Sequence, residues 1–153
     1  MPELGARLDC TGWSARRREW QPVVKPDPKP DSLRIETRDN LSAAVRSALQ
    51  YMTRHYANPI TLKDLSKVNA QTPSQMIRAF RKELGITPHA WLIRLRVERG
   101  TDLLERGESI ASVASEVGFV DQTHFTRHFK RVHGDTPARF LVASRRYRRL
   151  EIA

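Results

Sequence analysis

Two groups of cationic side chains stand at the same spacing, 49 residues apart: Arg78, Arg81 and Lys82, then Arg127, Lys130 and Arg131. The chemistry open to them is contact with a polyanion. A guanidinium offers a planar fork of donors that fits a phosphate or the O6/N7 edge of guanine, whereas an ammonium is a point charge suited to phosphate. Smaller polar side chains lie beside them, namely Ser74 in the first group and Gln122, Thr123 and Thr126 in the second. Gln pairs bidentately with adenine and Thr meets a thymine methyl. Ile77 is the apolar counterpart of Thr126, and either touches a thymine methyl or packs.

The repeat is wider than the charges. Residues 78–88, Arg-Ala-Phe-Arg-Lys-Glu-Leu-Gly-Ile-Thr-Pro, recur as residues 127–137, Arg-His-Phe-Lys-Arg-Val-His-Gly-Asp-Thr-Pro. Self-similarity at a fixed period means one supersecondary unit used twice. In each copy a basic helix ends at Gly85 or Gly134, and Thr87-Pro88 or Thr136-Pro137 starts the next.

The surrounding pattern predicts helices throughout and no sheet, an all-α fold. Leu41, Val45, Leu49, Met52 and Tyr56 share one face of a first helix that stops before Asn58-Pro59. Thr61 and Asp64 form a capping box ahead of a short helix bearing Leu62, Leu65 and Val68. Thr72, with Pro73 behind it, starts the first basic helix, whose Met76 and Phe80 share a packing face. That leaves Ser74, Gln75, Ile77, Arg78 and Arg81 to turn outward. A longer helix from Thr87-Pro88 to about Arg106 carries Ile93, Val97, Gly100 and Leu104. Glycine there costs roughly 1 kcal/mol of helix propensity, which predicts a close helix-to-helix approach. The second copy runs from a Ser109 cap through Ile110 and Val113 to a Gly118 turn. Asp121 then caps the helix of Phe125 and Phe129, and Thr136-Pro137 opens a terminal helix. The short helices align at an offset of 48, so the turn is one residue longer in the second copy.

With 27 Lys and Arg against 17 Asp and Glu, the chain carries a formal charge of +10, as expected for a partner rich in negative charge. Residues 1–38 hold eight basic and six acidic residues, with Pro22, Pro26, Pro28 and Pro30, and are expected to be a weakly ordered arm. Trp13 and Trp20 are unusual there. Residues 39–142 form the repeated domain, and 143–153 a basic tail. No run approaches the ~18 apolar residues of a membrane span, and no signal-peptide pattern opens the chain, so the expected compartment is the cytoplasm. The lone Cys10 excludes an intrachain disulfide and a thiolate metal quartet.

A short helix, a tight turn near Ala70 or Gly118 and a second capped helix make a helix-turn-helix, here twice. Residues 43–140 resemble the DNA-binding domain of AraC-family transcription regulators. The block from Ile110 through Arg131, followed by Gly134-Asp-Thr136-Pro137, is the most specific; Ile60–Leu65 and Arg96–Leu104 are also similar. The resemblance implies seven helices, a linker helix joining two units, and a second helix of each unit in the major groove. Two reading helices on one body would meet successive grooves ~34 Å apart, and unequal copies would prefer an asymmetric site. It also implies base-facing roles for Ser74, Ile77, Arg78, Gln122, Thr123, Thr126 and Arg127. Arg81, Lys82, Lys130 and Arg131 suit phosphates. The expected partner is double-stranded DNA, bound by a monomeric domain, with RNA polymerase as a further partner and no cofactor. Ala70 replaces the family's usual turn glycine, and Gly100 its usual alanine.

Other readings are weighed on the same residues. Arg78 and Arg127 as plain solvated arginines, or Ser74 and Thr123 as caps, are the bland alternatives. His124 and His128, one turn apart, have metal-ligand spacing but no third ligand nearby, which favours plain surface or DNA-facing histidines and no metal. No Gly-x-Ser-x-Gly or similar setting supports an enzyme. Residues 1–38 are too short and Pro-rich for the sensor domain usual in the family. The expectation is thus a stand-alone regulator or a piece of a longer one. A protein-interaction or antirepressor module contacting RNA polymerase or another regulator is the alternative function.

Overall fold

Side-chain caps divide the chain into helices at the places where Ser, Thr or Asp precede an apolar period. The computed structural model describes residues 41–151, with side chains through Arg146; the arm at 1–38, with Cys10, Trp13 and Trp20, lies outside the described residues. Among the described residues seven helices follow one another: α1 (Ala43–His55), α2 (Leu62–Asn69), α3 (Pro73–Leu84), α4 (Pro88–Glu105), α5 (Ile110–Glu116), α6 (Gln122–His133) and α7 (Pro137–Glu151). No strand occurs among the described residues. The residues set apart as a tail from 143 onward instead continue α7 to Glu151.

Ser42, Thr61, Thr72, Thr87, Ser109 and Asp121 each accept a hydrogen bond from the backbone N–H three residues on, satisfying a donor that a helix start leaves free. At Thr61 the box is reciprocal, with the Thr61 N–H donating to Asp64 Oδ2 at 2.9 Å. Hydrogen bonds from the Thr61 side chain and backbone hold the Asp64 carboxyl below its usual range. From helix start to helix start the second unit is one residue longer than the first, as the two alignment offsets require, but its turn takes residues 117–121 against 70–72, because α5 is also one residue shorter than α2. Ala70 closes the first in the left-handed region, φ 51°, whereas Gly118 turns the second at φ 87°.

Two hydrophobic cores result, and α4 belongs to both. Trp91, Leu92 and Leu95 pack with Val45, Met52, Leu65, Met76 and Phe80. Ile93, Val97 and Leu104 pack with Val113, Val117, Phe119, Phe125 and Phe129. An 18-residue helix has faces enough for this, because residues 92 and 93 point about 100° apart around its axis. Gly100 is where α4 meets α6: a Cβ there would lie 2.8 Å from the Phe125 ring and 3.1 Å from Val113. The glycine therefore secures the close approach at the cost in helix propensity noted above.

Candidate nucleic-acid interface

Each basic helix is anchored by two large apolar side chains and leaves a polar face to solvent. Met76 and Phe80 on α3, and Phe125 and Phe129 on α6, are fully buried. Four-residue spacing puts each pair on one face of its helix, so the residues opposite are exposed. On α3 these are Ser74, Gln75, Arg78, Arg81 and Lys82; on α6 they are Gln122, Thr123, Arg127, Lys130 and Arg131. Ile77 and Thr126 differ from the outward placing expected of them, for both are half-buried. They occupy matched positions one residue after Met76 and Phe125, at the border of the packing face, where a side chain reaches both core and surface.

The helix starts are organised differently. On α3 the Gln75 N–H donates to Thr72 Oγ1 at 3.3 Å, and the Thr72 N–H donates to Gln75 Oε1 at 2.8 Å. Gln75 thus has its carbonyl oxygen engaged and only its amide N–H groups free. On α6 the cap is a carboxylate, Asp121 Oδ1, accepting from the His124 N–H at 2.7 Å. Both helices end at a glycine in the left-handed region, Gly85 and Gly134, whose N–H donates to the carbonyl of Arg81 or Lys130. Each last turn holds a basic pair, Arg81-Lys82 or Lys130-Arg131, where cations are favoured by the helix dipole.

His124 and His128, expected as plain surface or DNA-facing groups, are not fully exposed. Both are half-buried beside Phe119, their rings 5.4 and 5.8 Å from it, and their Nε2 atoms approach to 3.1 Å. Burial lowers the His128 pKa, and the charges of His124, Arg131, Arg127 and His89 lower it further. No group of three or more His, Cys, Asp or Glu among the described residues is placed to hold a metal ion. His133, the last residue of α6, lies against Phe129 and Phe140 with ring separations of 4.3 and 5.0 Å. Its Nε2 is 3.0 Å from Thr101 Oγ1 on α4. The Thr101 hydroxyl already donates to the Val97 carbonyl, so its oxygen accepts from a neutral His133 protonated at Nε2. Burial pushes the His133 pKa down to about 4.

Sequence reasoning placed Arg96 in a family-like segment and gave it no contact. Its Nε donates to the Tyr56 carbonyl at 2.7 Å and its Nη2 to the Asn58 carbonyl at 2.8 Å, bridging α4 to the loop between α1 and α2. No local pattern announces such a contact, since the partners lie about 40 residues away.

With the two capped, outward-facing helices in place, likeness to known proteins becomes informative. The Helix-turn-helix domain family matches residues 65–143, more than half of the chain. A probable AraC family transcriptional regulator from Rhodopseudomonas palustris superposes with a TM-score of 0.62 at 26% identity, over 67% of this chain and 97% of that one. The chain belongs to the AraC-type helix-turn-helix family. The DNA-binding domain of the global transcriptional factor AdpA, solved in complex with a target DNA, is similar to this AraC-type domain, with a TM-score of 0.65 and 28% identity over 70% and 97% of the two chains. The arabinose operon regulatory protein of Escherichia coli is 34% identical over 98 residues, which are 63% of this chain and 34% of that protein. The chain spans about a third of the length of the curated relatives it matches. No helix among its described residues is long and apolar enough to cross a membrane.

Proposed function

We propose that this AraC-type domain is a sequence-specific double-stranded DNA-binding transcription regulator. Helices α3 and α6 enter successive major grooves on one side of the duplex. Ser74, Ile77 and Arg78 read one half of the site, and Gln122, Thr123, Thr126 and Arg127 read the other. Arg81, Lys82, Lys130 and Arg131 contact phosphates. Half-buried Ile77 and Thr126 have less reach than the rest and suit methyl contact. The observation that carries this reading is the matched pair of exposed polar faces on α3 and α6, each backed by a fully buried hydrophobic anchor and joined by a helix common to both cores. The likeness to a domain solved on its target DNA supports the same reading. The domain acts as a monomer in the cytoplasm and catalyses nothing, and RNA polymerase is its further partner.

Selection of preferred duplexes from random sequence tests this directly. An asymmetric consensus with two unlike halves is expected, and log affinity should fall linearly with log salt as phosphate contacts release counterions. A chain that selects no sequence and shows a flat salt response would instead be a protein-interaction module.

A further inference from the structure

The loop between α1 and α2 touches both α4 and the turn of the second unit. Arg96 of α4 grips it through the Tyr56 and Asn58 carbonyls, a two-point hold that fixes orientation as well as distance. Between those carbonyls, Ala57 sits against the turn of the second unit: a Cβ on Gly118 would lie 2.5 Å from the Ala57 oxygen and 2.9 Å from its carbonyl carbon. Both are backbone atoms, so neither can swing aside. The Tyr56 side chain packs against both cores, and the Arg99 guanidinium lies 6.0 Å from the centre of its ring. One end of this joint is thus the last turn of α1 in the first core, and the other is the turn that launches α6.

We infer that residues 56–58, gripped by Arg96 and seated on Gly118, fix the separation and rotational phase of α3 and α6, so that Arg96 and Gly118 determine which spacing between half-sites the domain accepts. Helix α4 packs into both cores, and a second connection between the lobes resists rocking about its axis. The joint is that second connection. Arg96 touches no base or phosphate in this role, and acts only by positioning the two helices.

The inference rests on the DNA-binding reading above, so its test has one arm without DNA. Spin labels at Lys67→Cys and Glu116→Cys, exposed positions on α2 and α5, are placed in a Cys10→Ser background. The distance distribution between them should be narrow, and Arg96→Gln should widen it at least twofold with helicity retained. The second arm measures affinity for the selected site, for each half-site, and for sites lengthened or shortened by one or two base pairs. The parent chain should prefer one spacing by tenfold or more. Arg96→Gln should keep half-site affinity within about twofold while its spacing preference falls below threefold, and Arg96→Lys should recover part of it. Equal losses on half-sites and full sites with spacing preference unchanged, or an unchanged label distribution, would overturn the inference. So would a parent chain that binds its selected site but ignores spacing. Failure to select any sequence would instead remove the DNA reading itself, and the label arm would still decide whether Arg96 holds the two lobes. Should Arg96→Gln fail to fold, Gly118→Ala, which pushes a methyl onto the Ala57 backbone, must widen the same label distribution and flatten the spacing preference.

Discussion

The first unit turns between its helices at Ala70, an L-residue in the left-handed region, and caps α3 with a neutral Thr72–Gln75 box. The second turns at Gly118, caps α6 with the Asp121 carboxylate, and lines its core with Phe119, Phe125, Phe129 and Phe140, against which three histidines of α6 lie. Both present arginine at the same helical position, Arg78 or Arg127, and a basic pair one turn later. What the duplication retained is the anchor and the charges; the cap, the turn and the residues beside the arginine have diverged. Two exposed helix faces can thus differ in the side chains they present while sharing how they are held.

The largest test of this comparison removes the matched anchors. Phe80→Ala and Phe129→Ala should each cost about 3–5 kcal/mol, a large fraction of the 5–15 kcal/mol typical of a whole domain. Because α4 is part of both cores, denaturant unfolding should stay a single transition in either variant. Two separated transitions would show that the units are independent and break the comparison at its base.

Acidification should separate the units next. His133 occupies the position that Leu84 holds in the first unit. Its folded pKa of about 4 lies below the ordinary 6.5, so protons favour the unfolded chain. The stabilisation from neutral His133 is complete above about pH 6.5 and is lost progressively as pH falls toward 4, up to about 3 kcal/mol in all. In denaturation series across that range, His133→Leu should flatten this component of the pH dependence. An unaltered profile in the variant would put the acid sensitivity elsewhere.

On a selected duplex, Arg78→Ala and Arg127→Ala should each lose about 1–3 kcal/mol, and each should relax base preference in a different half of the site. Uniform loss on every duplex would reduce both arginines to phosphate contacts. The smallest effect is local: Ala70→Gly should stabilise the chain by about 0.5–1 kcal/mol, since relief of left-handed strain exceeds the added freedom of the unfolded backbone. A measured loss of stability would mean that the Ala70 methyl makes contacts worth more than the strain.

The seven helices and most of their starts were readable because caps and periods are local chemistry; the exception is α1, where Leu41, read as part of the helix face, precedes the Ser42 cap. Thr61, Thr72, Thr87, Ser109 and Asp121 bond to N–H groups three residues away, and the close approach at Gly100 follows from a glycine placed inside an apolar stripe. Helical spacing likewise separated Phe80 and Phe129 from the arginines, but it turned Ile77 and Thr126 outward, whereas both are half-buried on the border between faces. Contacts made only by tertiary packing were not readable. The His133–Thr101 and Arg96–Tyr56 pairs join residues 32 and 40 apart, and the half-burial of His124 and His128 depends on where Phe119 lands.

The sharing of α4 between the cores bears on how occupancy would respond to protein level. Two reading heads carried by separate subunits must first find one another, so occupancy of a double site rises steeply with concentration. With both heads on one helix, the second meets DNA at an effective concentration set by the geometry of α4, whatever the number of molecules present. On the function proposed here, occupancy would follow a simple hyperbola, graded with the amount of protein and without a threshold.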